Sequence, residues 1–106
     1  IMLYPMLFMD VPGKPWRGHL TGSAADTASF FTKAQGYNAF ITHYANLGAG
    51  RADAFVIGSE LKSLTAVTSA PGVYPAVSAL VSLAASVKSI VGASCKVTYA
   101  ADWSEY

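Results

Sequence analysis

The stretch Ala54-Phe55-Val56-Ile57-Gly58-Ser59-Glu60-Leu61 decides the fold. Apolar residues run unbroken from Ala54 to Ile57, and a glycine, a serine and a lone carboxylate follow. Such a run, entered from Asp53 and left through a polar triplet, is the pattern of a strand buried on both faces of a parallel sheet. In α/β folds, ligand-binding and catalytic groups collect at the carboxyl ends of these strands, where the loops converge. Glu60 is therefore the first candidate for a functional role.

On the N-terminal side of this strand the pattern changes period. Tyr37, Phe40, Ile41 and Tyr44 recur at the i, i+3, i+4, i+7 spacing of one buried helix face. The helical stretch starts at Ser23, a capping residue with Asp26 three positions on, and is interrupted at Gly36. It ends at Gly48-Ala49-Gly50. Further back, Leu3 to Met9 is a second apolar run that ends in Asp10. The following Val-Pro-Gly-Lys-Pro forbids continuation of strand or helix. Trp16-Arg17-Gly18-His19 then mixes aromatic, cationic and imidazole groups with glycine, a composition suited to a binding rim.

On the C-terminal side, Lys62 to Tyr74 shows no period and reads mostly as loop. Pro75 suits the first turn of a helix whose stripe is Val77, Leu80, Val81, Ala84, Val87 and Val91, with Gly92 as its stop. Cys95 to Ala101 gives a third strand centred on Val97 and Tyr99. The order is β-α-β-α-β, which predicts right-handed crossovers and a parallel sheet.

Composition narrows the function classes. The chain is 106 residues long, 53% hydrophobic and 12% charged, about half the charged fraction usual for a soluble domain. That shortage of charge predicts apolar surface meant for a neighbour. A net charge of +1 with scattered basic residues gives no footprint for nucleic acid. No segment has the length and apolarity of a membrane span. Cys95 is the only cysteine, so neither an intrachain disulfide nor a cysteine-based metal site can be built. His19 and His43 lack the spacing of a metal pair, and no metal or cofactor is expected.

Four of the six acidic residues, Asp10, Glu60, Asp102 and Glu105, fall at or just beyond the ends of the three predicted strands. In a barrel those ends face one mouth. Paired carboxylates in such a cleft are what glycoside hydrolysis needs: one protonates the leaving oxygen while the other attacks carbon or activates water. Trp16, Trp103, Tyr99 and Tyr106 offer flat surfaces for sugar rings. Each residue also has a plainer reading. A carboxylate after a strand can cap the next helix or pair with a nearby cation, and a tryptophan can simply pack. Ser59 is not a nucleophile elbow, since Gly-x-Ser-x-Gly is absent.

Tyr4-Pro5-Met6 running to Asp10, Lys14-Pro15-Trp16-Arg17-Gly18, Gly36-Tyr37-Asn38, Asp53 to Leu61 and Thr98 to Tyr106 together resemble the TIM-barrel-like domain of gene transfer agent and phage tail proteins, the baseplate and host-specificity components. The Ile-Gly-Ser-Glu-Leu and Tyr-Ala-Ala-Asp-Trp-Ser-Glu-Tyr segments also look like the fourth and fifth strands of retaining glycoside hydrolases of the large (β/α)8 clan. The resemblance implies a partial (β/α)8 segment of about three parallel strands, with residues 1–106 as one piece of an incomplete barrel. It makes Glu60 the candidate acid/base and sets Asp10, Trp16, Arg17, Ser59, Asp102, Trp103 and Glu105 around the same mouth as candidate substrate contacts.

The chain departs from the hydrolase pattern at Ser59, where the clan usually carries Asn, and the clan's strand-seven nucleophile has no counterpart here. The implied function is action on, or binding of, cell-envelope polysaccharide by a phage-type tail protein, with the isolated chain inactive; a catalytically silent baseplate or host-recognition module is the alternative. The implied partners are that polysaccharide, other tail or baseplate proteins, and the rest of the barrel or a second copy of the chain. The implied location is the tail of a virion or phage-like particle assembled in the bacterial cytoplasm.

Overall fold

The strand predicted at Ala54 becomes the centre of a three-stranded parallel sheet. In the computed structural model, which describes residues 1–13 and 16–105, Met2–Leu3 (β1), Ala54–Ser59 (β2) and Lys96–Ala100 (β3) pair in the order β1-β2-β3. Lys14, Pro15 and Tyr106, the last read from sequence as a candidate sugar platform, lie outside the described residues. Strand order equal to chain order means that both crossovers step in the same direction. With a common hand, they lay their helices on one face of the sheet. A doubly wound sheet would reverse direction and cover both faces. The arrangement is that of a barrel sector, a partial TIM-barrel-like segment.

The helices are Ala24–Thr32 (α1), Tyr37–Gly48 (α2), Lys62–Thr65 (α3) and Pro75–Val91 (α4). Ser23 starts α1 through a full capping box: its hydroxyl accepts from Asp26 N–H at 3.0 Å, and the Asp26 carboxylate accepts from Ser23 N–H at 3.2 Å. Gly36 stands between α1 and α2 where only glycine fits: two backbone oxygens, of Phe30 and Lys33, stand 2.8 Å from where a Cβ would be. Pro75 opens α4, and Gly92 closes it at φ +93°, ψ 170°, a region open essentially to glycine alone. Phe31, Tyr37, Ile41 and Ala45 from the first two helices meet Phe55 and Ile57 of β2 and the inner face of α4 in one core.

The fold corrects part of the sequence reading. The first strand is not Leu3 to Met9: pairing stops at Leu3, because Pro5 has no N–H to donate to the ladder. The second strand ends at Ser59, and Glu60 beyond it turns into the left-handed region. The segment after Glu60 is mostly loop, as expected, and begins with the one-turn α3, too short to show a period. The buried face of α4 is Ala76, Leu80, Leu83, Val87 and Val91, whereas Val77 and Val81 are exposed. That helix is apolar around much of its circumference, so periodicity alone does not single out one face. Tyr44, placed on the buried face of α2, is likewise exposed.

Candidate functional site

The site begins with a bulge. Val56 pairs with Thr98, but the next partner of Ala100 is Ser59, so β2 carries one residue more than β3 across this interval. Cross-strand partners share a face. Phe55, paired with Val97, belongs to the helix-side core. Without the extra residue, simple alternation would send Ser59 to that same side. The bulge instead turns Ser59 to the face that the helices leave bare. Gly58 lies within this interval, and a Cβ there would stand 3.1 Å from the Tyr37 hydroxyl and 3.2 Å from the Tyr99 ring.

Glu60 follows at φ +52°, one of two non-glycine residues with positive φ among those described. Its carboxylate sits on Arg17: Nη2 donates to Glu60 Oε1 at 2.7 Å and to Ser59 Oγ at 3.2 Å, while Nε donates to the Ser59 carbonyl at 3.0 Å. Arg17 is 12% exposed and Glu60 33%. The guanidinium is therefore spent inside the protein while the carboxylate still reaches solvent. Tyr4 joins from the segment after β1, its hydroxyl 2.5 Å from Ser59 Oγ. Arg17 is carried by a single 3-10 turn, Arg17–His19. Trp16 folds back over Gly18, where a Cβ would meet three ring atoms at 2.3–2.5 Å, and packs edge-on against His19.

The turn after β3 is a second polar knot. Asp102 Oδ2 accepts from the Ser104 N–H at 3.0 Å and from the Ser104 hydroxyl. These bonds hold the Asp102 carboxyl below the usual carboxylate range. Glu105 Oε1 accepts from Asp102 N–H at 3.0 Å and its Oε2 from the Tyr99 hydroxyl at 2.8 Å, while Glu105 N–H donates to the Asp102 carbonyl at 3.0 Å. Tyr99 in turn accepts from Leu61 N–H at 2.8 Å, directly after Glu60. Burial pushes the Tyr99 and Tyr37 hydroxyls well above the ordinary phenol range, with the Glu105 bond adding to the shift at Tyr99.

Comparison with known families decides what this geometry belongs to. Residues 35–106, about two thirds of the chain, match the GTA TIM-barrel-like domain. The chain belongs to that family. No curated protein and no solved structure matches it. Membership makes the protein a gene-transfer-agent-related module.

In this GTA TIM-barrel-like chain, apart from Trp16 on its 3-10 turn, the candidate site residues fall into three groups. Arg17, Ser59 and Glu60 form one hydrogen-bonded cluster at the carboxyl end of β2. Asp102 and Glu105 belong to the turn after β3, and the Tyr99 hydroxyl joins that turn to Leu61, the residue after Glu60. Asp10 and Trp103 are exposed, and among the described residues no hydrogen bond or ion pair ties either side chain to Glu60. Two further groups join the site, Tyr4 and the Tyr99 hydroxyl. Nothing in the local sequence marks them, since their partners lie 55 and 38 residues away. No gathering of three His, Cys, Asp or Glu side chains fit for a metal exists among the described residues, and no described helix is long and apolar enough to cross a membrane.

A separate apolar groove of about 810 Å³ lies between α4 and β3, lined by Val77, Val81, Ala84, Val97 and Tyr99 and reaching Glu105 and Lys62. Neither Glu60 nor Arg17 lines it.

Proposed function

We propose that the complete domain binds and cleaves cell-envelope polysaccharide for a gene-transfer-agent tail, with Glu60 as the general acid/base. The observation that carries this reading is the placement of Glu60: at the carboxyl end of the central parallel strand, solvent-reaching, with Oε1 held by Arg17. A carboxylate oriented through one oxygen presents the other in a defined direction, as proton transfer to a glycosidic oxygen requires. Asp10, Trp16, Asp102 and Trp103 are proposed to line the same mouth once the remaining strands close it. Residues 1–106 then act as one segment of that barrel, with tail or baseplate proteins as neighbours. The two open sheet edges are covered by the rest of the barrel or by a second copy.

A silent structural or host-recognition module is the second reading. It is favoured by the depth of Arg17 in the protein and by Ser59, already bound by Tyr4 and Arg17, at the position where the hydrolases carry an amide. Assay of the full-length protein on envelope polysaccharide separates the two. On the enzymatic reading, Glu60→Gln lowers turnover by roughly 10²- to 10⁴-fold. A second carboxylate about 5 Å from Glu60 is also expected in the closed barrel. Undiminished turnover in the variant would rule out Glu60 as the acid/base.

A further inference from the structure

Glu60 holds a backbone conformation that a residue with a Cβ adopts only when its surroundings over-determine it. The surroundings that do so are the peptide N–H groups on its two sides. Glu60 N–H donates to the Ala100 carbonyl at 2.8 Å, an ordinary consequence of the neighbouring strand. Leu61 N–H has no strand partner and donates instead to the Tyr99 hydroxyl at 2.8 Å. Leu61 is 1% exposed, so water is a poor substitute for that acceptor.

The Tyr99 hydroxyl can serve as acceptor because its own proton is committed elsewhere. A carboxylate only accepts, so the 2.8 Å contact with Glu105 Oε2 sets the direction of the O–H bond. Glu105 is fixed in its turn by Asp102 N–H on Oε1, by its own N–H on the Asp102 carbonyl, and by the Thr65 hydroxyl at 3.4 Å from Oε2. Both carboxylate oxygens thus have donors from the protein. The absent side chain of Gly58 lets the Tyr99 ring lie close enough to the β2 backbone to reach Leu61.

We infer that Tyr99 and Glu105 are positioning residues, a relay from the turn after β3 that holds Glu60 in its left-handed turn at the mouth. Only the catalytic consequence of this relay rests on the acid/base reading of Glu60; the conformational one stands apart from it. The relay couples the ends of two neighbouring strands, so a shift in the Asp102–Glu105 turn reaches Glu60 through two hydrogen bonds.

The test is amide hydrogen exchange on the intact protein. Tyr99→Phe keeps the ring and removes the acceptor. Exchange at Leu61 is expected to rise roughly tenfold, the factor that one hydrogen bond of ordinary worth represents, with far-ultraviolet circular dichroism unchanged. Glu105→Ala should raise it similarly, and Glu105→Gln less, since the amide keeps one acceptor oxygen for Tyr99 or for Asp102 N–H. These two variants decide the matter if Tyr99→Phe does not fold. Unchanged Leu61 exchange in the folded variants overturns the relay. In full-length protein that turns over polysaccharide, Tyr99→Phe is expected to lower kcat with KM held, and an unaltered kcat overturns the relay's part in catalysis. Absence of turnover in the unsubstituted protein refutes the acid/base reading alone, leaving the exchange result to judge the relay.

Discussion

Glu60 is legible in the sequence as a carboxylate that ends an apolar run, and little more of its chemistry is. Its partner Arg17 lies 43 residues earlier in a loop, and no local signal joins the two. The neighbouring Gly58 carries a consequence that can be measured. A methyl group there would press on the Tyr37 hydroxyl, bound to the Ile57 carbonyl at 2.7 Å, and on the Tyr99 ring, bound through its hydroxyl on both sides. Neither neighbour is free to move: Tyr37 is also packed against Phe30 and Phe31. Gly58→Ala is expected to destabilise the protein by about 1–3 kcal/mol in urea denaturation, the usual range for overpacking. A midpoint equal to that of the parent would show that one of the two tyrosines yields.

At the level of elements, the chemical signals held throughout and the periodic ones in part, since Tyr37, Ile41, Leu80, Val87 and Val91 are buried as their spacing predicts. Ser23 and Asp26 form the capping box that their spacing announces, Gly36 breaks the helical stretch, and Pro75 and Gly92 bound α4. Ser23→Ala removes one arm of the box and should lower stability by about 1 kcal/mol, read from thermal or urea unfolding; no measurable change would mean that α1 contributes little to the cooperative unit. Periodicity served less well. It placed Val77 and Val81 in the core, although they line the groove beside β3. In a helix with apolar residues on several faces, the neighbours decide which face is buried. The first strand failed for a simpler reason: its residues alternate in burial from Met2 to Asp10, as a strand's do, but Pro5 denies them a continuous ladder.

For the whole molecule, the layer of helices on one face leaves the other face to polar contacts between Tyr4, Arg17, Ser59 and Glu60. Two tyrosines bridge the layers: buried Tyr37 bonds to the Ile57 carbonyl, and half-buried Tyr99 bonds to Leu61 and Glu105. Both hydroxyls are held above the ordinary phenol range, mainly by burial; Arg17 opposes the shift at Tyr37, and Glu105 adds to it at Tyr99. The folded state therefore favours the neutral phenol. That contribution is complete below the unfolded value of about 10 and declines as pH rises toward the folded values. In an alkaline titration followed by tyrosinate absorbance, two of the six tyrosines should ionise only as circular dichroism reports unfolding. Ionisation of all six while the fold persists would contradict the burial assigned to this pair.

The alternation of strands and helices, the parallel sheet, the helix ends and the candidacy of Glu60 can all be read from the chain alone. Each of these depends on residues close together in the chain, where capping, proline and glycine geometry and apolar runs act directly. Folding in three dimensions adds the bulge that turns Ser59 to the bare face, the claim of Arg17 on one oxygen of Glu60, and the brace that Tyr99 and Glu105 supply from the next strand. These depend on strand register and on contacts across 38 to 43 residues, set when the sheet pairs and the core closes. No local pattern encodes them.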